Sequence, residues 1–463
     1  MNGDKTVENG RTIAAISTAQ APGGIGIVRI SGSDAKTIAS RVFVPAGSHS
    51  VMETPGYHAL YGTVFDAEGK RIDEAIALIF TAPKSFTGED VVEFSCHGGM
   101  YVLKQLLAAV FAAGAAPADP GEFTRRAFLN GKMDLTRAEA VMQMISAQGE
   151  SAARAAAEGN GGALARRIQK IRSRLVASAA HLSAWADYPE DEVPEITSDD
   201  LLSDLNFALS ECQTLLSQFD AGRALREGVK TVIVGRPNVG KSTLMNLLAG
   251  CERSIVTEYA GTTRDVVEEV VLVGGIPLCL ADTAGIRTTA DPVEQIGVDR
   301  AKKRLESAQL VFAVFDSSEN LEKEDLDLIQ SIGSLPAIAV INKVDLPQVI
   351  DINCIKEHFK YLVYISAETG EGFSALESAV SDILNTNHLN PSEGMLYTER
   401  QRDAVRRAEI CLEEAKTAVL AEMTFDAVTV SVEGAISAFL ELTGERVSET
   451  VVDEVFSKFC VGK

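Results

Sequence analysis

"GRPNVGKS", residues 235–242, is the stretch on which the fold turns. It has the spacing G-x-x-x-x-G-K-S, follows the strand-like run "TVIVG" and opens the helix-like run "STLMNLLAG". In that context the glycines let successive backbone N–H groups face phosphate oxygens at the positive end of a helix. Asn238, Val239 and Gly240 then line a phosphate cradle. Lys241 reaches the β- and γ-phosphates, Ser242 offers a hydroxyl to Mg²⁺, and Thr243 follows it. A glycine-rich turn with no ligand is the bland alternative.

Three more elements follow in order. "GTTRD", 261–265, is a polar loop whose hydroxyls, Thr262 and Thr263, suit the γ-phosphate and its metal. "DTAG", 282–285, ends a strand; Asp282 can hold the Mg²⁺ shell, Thr283 and Ala284 lead on, and the Gly285 N–H can meet the γ-phosphate. "NKVD", 342–345, ends another strand with Asn342, Lys343 and Asp345. A carboxylate at Asp345 can accept both N1–H and the 2-amino group of guanine. Adenine offers no such donor pair, so this residue selects GTP over ATP. "SAE", 366–368, closes the purine pocket with the backbone N–H groups of Ser366 and Ala367.

Around these motifs the chain changes character. Residues 229–386 alternate strand and helix, with strands "TVIVG", "EEVVLVGG", "IPLCLADT", "LVFAVFD", "AIAVINK" and "LVYISA". Such alternation predicts a largely parallel, doubly wound sheet. Residues 1–130 read as α+β, with "TIAAIST", "GIGIVRISG", "HALYGTVF", "EAIALIFTA" and "DVVEFSCHG" as strands and "VLKQLLAAVFAAGA" as a helix ending near Gly114. Helical periodicity fills 131–220, in "TRAEAVMQMISAQGESAARAAAEG", "ALARRIQKIRSRLVASAAHLSAWADY" and "DDLLSDLNFALSECQTLLSQF", and returns over 398–463. Neither helical block is self-sufficient, which predicts that they pack together with the α/β domain inserted between them. The expected division is 1–130, 131–222, 223–387 and 388–463.

Composition narrows the function. The chain has 463 residues, 46% apolar, long enough for several domains. No run of about 18 apolar residues occurs, so no membrane span is expected. The opening "MNGDKTVENG" lacks the apolar core of a secretory signal. Seven cysteines with no CxxC pair argue against a zinc site and for a reducing, cytoplasmic setting. A net charge of −22 excludes a general basic field for nucleic acid. An RNA partner would need a local patch or a second protein.

One position does not fit an ordinary small GTPase. The residue after "DTAG" usually is a glutamine that orients the attacking water. Here it is Ile286, which cannot.

Residues 229–386 resemble the TRAFAC-class GTPases. The flanking stretches "GEFTRRAFLNGKMDLTRAEAV" (121–141), "SFTGEDVVEFSCHGG" (85–99) and "FCVGK" (459–463) resemble the tRNA-modification GTPase MnmE (TrmE) family, and the likeness runs over nearly the whole chain. It implies a multidomain α/β architecture: an N-terminal α+β folate-binding-like dimerisation domain, an all-α helical domain, and an inserted Ras-like P-loop G domain. It also implies activation by nucleotide-dependent dimerisation of the G domains and by K⁺, which would accommodate Ile286. A K⁺ beside the phosphates offsets transition-state charge as a guanidinium does. By resemblance its ligands would be Asn238, Thr257, Tyr259 and Thr262, leaving Thr263 for Mg²⁺. Glu294 matches the family's catalytic glutamate, which orients the water through an intervening water; otherwise it is a solvated loop carboxylate. Arg287 and Arg264 are phosphate contacts or surface charges.

In the N-terminal domain the resemblance implies a 5-formyl- or methylene-tetrahydrofolate site with Arg29, Glu93, Lys132 and Lys463 as contacts. The structural alternative is that Arg29 and Glu93 pair across adjacent strands. The glycine loop before the Arg29 strand, "APGGIG", 21–26, is shorter than the family commonly has. Cys460 is a chemical participant or a small buried residue near the pterin, and His97 is expected to be structural. The implied activity is GTP hydrolysis coupled to adding an aminomethyl or carboxymethylaminomethyl group at C5 of the wobble uridine of tRNA, in a homodimer working with the FAD-dependent MnmG-family protein. Two alternatives are a ribosome-assembly GTPase, which should carry a basic RNA module after residue 387, and a folate-dependent aminomethyltransferase with a regulatory G domain.

Overall fold

A computed structural model of the protein describes residues 10–187, 197–250, 269–280, 305, 308–387 and 389–462. The chain forms two compact units, Met1–Met142 with Leu440–Lys463, and Gln143–Phe439.

The first unit is built on a mostly antiparallel sheet of β1 (Ile13–Ile16), β2 (Ile25–Ser31), β3 (Phe43–Pro45), β4 (His58–Phe65), β5 (Arg71–Phe80), β6 (Val91–His97) and β7 (Ala116–Pro117). Among the described residues the order is β3-β4-β5-β6-β2-β1-β7. The five strands predicted from composition and turn signals are present; β3 and β7, three and two residues long, are too short to stand out. Helices α1 (Ala35–Val42) and α2 (Met100–Ala112) cover one face. Ile38, Leu103, Leu106 and Val110 pack there against Val28, Ile30, Ile79 and Phe94. Gly26 allows the close approach, since a Cβ there would stand 2.6 Å from Leu103 Cδ1.

Helices α3 (Glu122–Leu129) and α4 (Leu135–Ser146) follow. The helix Glu449–Ser457 joins this unit although it comes some three hundred residues later. Its Val452 and Phe456, with Phe459, share a core with Phe128, Leu135 and Ala138. Arg125 reaches Asp453 at 3.0 Å. Beyond the helix the backbone lies along β1. The Ser17 hydroxyl donates to Gly462 O at 3.0 Å, and Gly462, at φ +97°, comes so near that a Cβ would meet Ile16 O at 2.3 Å.

In the second unit, α5 (Glu150–Asn160), α6 (Ala163–Asp187), α7 (Ser198–Ser217) and α8 (Phe219–Glu227) precede the second sheet. The helical run predicted from Thr136 onward is broken between α4 and α5, where Gly149 is extended. A Cβ on Gly149 would stand 3.1 Å from Leu272 Cδ2, so a small residue lets α5 begin against the sheet. The strands are β8 (Val229–Val234), β9 (Glu269–Val273), β10 (Ile276–Leu280), β11 (Leu310–Asp316), β12 (Ala337–Asn342) and β13 (Tyr361–Tyr364), in the order β13-β12-β11-β8-β10-β9 among the described residues. All pairs are parallel except β9 with β10. β11 is buried along its whole length, as expected of a central parallel strand.

Helices lie on both faces, giving the doubly wound architecture predicted. α9 (Lys241–Gly250) and a later helix, Phe373–Ile383, fill one face through Leu244, Leu248, Leu376 and Val380. The other is filled by α10 (Lys323–Ile332) and α11 (Ile352–Lys356) through Ile329, Ile332 and Ile355. With Phe373–Ile383 as α12, the chain continues through α13 (Glu399–Leu420) and α14 (Phe425–Thr443). α13 packs along α7, so helices from either side of the sheet segment meet. Tyr397, just before α13, ties them further: its hydroxyl donates to Ala155 O at 3.1 Å and its N–H donates to Gln401 Oε1 at 2.8 Å.

Candidate nucleotide site

The phosphate loop leaves β8 at Gly235 and enters α9 at Lys241. Gly235 (φ +155°), Asn238 (φ +64°) and Gly240 (φ +97°) bend the loop back on itself. Glycine is required twice for space as well: a Cβ on Gly235 would meet Val314 O at 2.5 Å, and one on Gly240 would meet Asn342 Nδ2 at 2.1 Å.

Lys241 folds over this loop, its Nζ donating to Gly235 O at 2.8 Å and Arg236 O at 2.6 Å. Among the described residues no carboxylate pairs with it. Burial pushes its ammonium below the ordinary lysine value. A half-buried cation held by carbonyls, beside a turn built for backbone donors, fits a phosphate. Ser242 and Thr243 are exposed at the start of α9, where a hydroxyl can reach a metal on that phosphate.

The base side is built from the ends of β12 and β13. Asn342 is buried, and its amide is committed to the protein: Nδ2 donates to Val239 O at 2.8 Å and Oδ1 accepts from Ala367 N at 2.9 Å. It thus joins the phosphate loop to the "SAE" segment rather than facing open space. Asp345 is exposed, free to face a base. Lys343 (φ +64°) pairs with the buried Asp316 at 2.5 Å. Ser366 is buried, and its Oγ accepts from Thr369 N at 3.3 Å.

Arg236 was invisible as a functional residue in the sequence. Its guanidinium lies among Glu319 (2.8 Å), Glu322 (2.6 Å) and Asp325 (2.9 Å) at the start of α10. It anchors the phosphate loop to the opposite face of the sheet. The three acids lie more than eighty positions away, and no local pattern announces the contact.

Thr257, Tyr259, Thr262, Thr263, Arg264, Asp282, Thr283, Ala284, Gly285, Ile286, Arg287 and Glu294 lie outside the described residues, as does Lys463.

In the N-terminal unit Arg29 and Glu93 sit opposite each other in the β2–β6 register and pair at 2.7 Å. The cross-strand alternative is therefore the arrangement adopted. The Arg29 guanidinium also lies 5.4 Å from the centre of the Phe123 ring and donates to Gly462 O at 3.4 Å. Lys132 Nζ donates to Pro83 O at 2.9 Å. His97 holds Asp73 through its ring (2.9 Å) and its backbone N–H (2.9 Å). Burial pushes the Asp73 carboxyl up, but those His97 bonds outweigh it and hold it below its ordinary value. Cys460 is exposed, which removes its reading as a small buried residue.

Residues 12–132 match the family described as GTP-binding protein TrmE N-terminus, and residues 135–460 match the MnmE helical domain. The tRNA modification GTPase MnmE of Symbiobacterium thermophilum is 44% identical over 455 residues, covering 98% of this chain and 99% of that protein. This chain belongs to the MnmE family. The MnmE of a Synechococcus species is 42% identical, with 99% of this chain and 100% of that protein covered. The MnmE of Heliobacterium modesticaldum is likewise 42% identical, over 98% and 100%. The MnmE likeness spans both units, including the nucleotide motifs within the second. No described helix is long and apolar enough to cross a membrane.

Proposed function

We propose that the chain is a GTP-hydrolysing tRNA-modification enzyme. The observation that carries this reading is the join at Asn342, which locks a phosphate loop whose lysine is held by backbone carbonyls to a base pocket with an exposed Asp345. Membership of the MnmE family supplies the tRNA half of the statement.

Lys241 would exchange its two carbonyl partners for β- and γ-phosphate oxygens, and Asp345 would accept from N1–H and the 2-amino group of guanine. Ser242, Thr263 and Asp282 would hold Mg²⁺, which supplies charge neutralisation on the phosphates. Asn238, Thr257, Tyr259 and Thr262 would hold K⁺, which supplies the charge that an arginine finger gives elsewhere. Asn238 fits that role in being exposed and in a left-handed turn of the loop. Glu294 would orient the water that Ile286 cannot.

The finer activity is modification at C5 of the wobble uridine together with an FAD-dependent MnmG-family partner, with a tetrahydrofolate as one-carbon donor. Arg29, Glu93, Lys132 and Lys463 would line the folate site, with Arg29 turning from Glu93 towards an anionic ligand. Exposed Tyr57, Tyr61 and Ile76 on the β4–β5 side support a homodimer through the N-terminal unit. A net charge of −22 favours a partner that supplies most of the tRNA affinity.

The test is steady-state GTP hydrolysis in K⁺ and in Na⁺ at equal ionic strength, for wild type and Asn238→Ala. Stimulation by K⁺ on the order of tenfold or more, absent in the variant, is expected. Equal rates in both salts would sink the cation mechanism. No turnover in either salt, with or without MnmG, would sink the GTPase reading.

A further inference from the structure

The turn after β11 grips the base-reading segment from both sides. Asp316 ends that strand with a side chain only 1% exposed, and its Oδ2 lies 2.5 Å from Lys343 Nζ. Its Oδ1 accepts from the Ser318 N–H at 2.9 Å and the Ser318 hydroxyl at 2.7 Å. The next residue, Ser317, donates its N–H to Asn342 O at 2.8 Å and its hydroxyl to Lys343 O at 2.8 Å. Ser317 O in turn accepts from Val349 N at 2.8 Å and Ile350 N at 3.2 Å. Asp345 is thus an exposed carboxylate on a loop fastened at 342–343 on one side and 349–350 on the other, both times to the same three-residue turn.

Two further features accompany this grip. Lys343 is held at φ +64°, a conformation that a non-glycine residue keeps only where its surroundings impose it. Burial pushes the Asp316 carboxyl up, but the Lys343 ammonium and the two Ser318 donors outweigh burial and hold it below the usual carboxylate range. A buried charge therefore persists at neutral pH, paired with the residue next to the base-reading loop.

We propose that Asp316 is a positioning residue for guanine selection: through Lys343, and with Ser317, it fixes the loop that places Asp345 against the base. Asp316 itself would not touch nucleotide. The proposal rests on the GTP-binding reading given above and predicts which bonds of that site set its selectivity.

Inosine diphosphate lacks the 2-amino group that Asp345 would bind in GDP, so the ratio of the two affinities reads the placement of that carboxylate. Both would be titrated into the full-length protein as wild type, Asp316→Asn and Ser317→Ala. Wild type is expected to prefer GDP by at least about tenfold. Asp316→Asn is expected to weaken GDP roughly tenfold and to compress the preference to within about threefold, with Ser317→Ala shifting both in the same direction by less. A variant that melts at lower temperature yet keeps the full GDP preference would show that the cluster only stabilises the fold, and would overturn the proposal. If Asp316→Asn does not fold, Ser317→Ala decides, with an unchanged preference overturning the idea. Failure of wild type to bind GDP would overturn the nucleotide reading, and this inference with it.

Discussion

Gly240 stands so close to Asn342 that a Cβ placed on it would lie 2.1 Å from the Asn342 amide nitrogen. The two residues belong to motifs a hundred positions apart, one for phosphate and one for base. Asn342 cannot step aside at little cost, because it is buried and makes a hydrogen bond with each end of its amide. Gly240→Ala should therefore break the join between the two halves of the site, at φ +97°, where alanine is strained as well. The expected result is a loss of GDP affinity beyond about tenfold with the fold retained, since such strain costs about 1–3 kcal/mol. Fluorescent-GDP titration with a thermal melt alongside checks it; unchanged affinity would mean that the loop relaxes freely.

Lys241 gives a pH signature. Burial places its ammonium below 10.5 in the nucleotide-free protein, and bound phosphates would raise it again. A group whose acidity falls on binding takes up protons as the ligand enters, and affinity declines as pH rises through the free-state value. Calorimetry of GDP binding in two alkaline buffers of different ionisation enthalpy should show net proton uptake. Lys241→Met should abolish the uptake along with most of the affinity.

Arg236 is 9% exposed and its partner Asp325 2%. Removing the cation would strand a buried carboxylate at neutral pH, whereas Glu319 and Glu322, both well exposed, can turn to water. Arg236→Met should destabilise the nucleotide-binding part of the chain by about 3 kcal/mol, and adding Asp325→Asn should restore a large part of that. Urea unfolding of the full chain, followed by loss of GDP binding, measures both. Additive losses in the double variant would contradict the pairing.

What could be read in advance was chemistry that is local in sequence. The phosphate loop and its flanking strand and helix are contiguous, so spacing alone placed Lys241 and Ser242. The strands of both sheets announced themselves by composition, and only β3 and β7 were too short to do so. Arg236, Asp316 and Asn342 are different. Each works by reaching an element distant in the chain, and neither composition nor periodicity carries that information. Arg29 and Glu93 lie between these cases: both stood out as charges in apolar strands, but only the β2–β6 register showed that each is the other's partner.

Phe456 tests how far the first unit depends on its late segment. It is 2% exposed and packs against Phe128 and Phe459. Phe456→Ala should cost about 3–5 kcal/mol, as buried aromatic truncations do. Hydrogen exchange should show the loss in α3 and β1, while α9 and the second sheet keep their protection. Uniform loss through both units would refute this division.

The seating of Gly462 against the end of β1 also sets the order in which the units are completed. A ribosome delivers β1 before the second sheet and the segment 449–462 after it, so that strand emerges long before the backbone that borders it. Through that interval the groove beside Ile16 and the apolar side of α3 have no occupant, while everything needed for the second sheet has already appeared. The first unit thus begins before the second sheet and is completed after it. Until then it presents to the cell an open site that a chaperone can hold or a second nascent chain can wrongly fill.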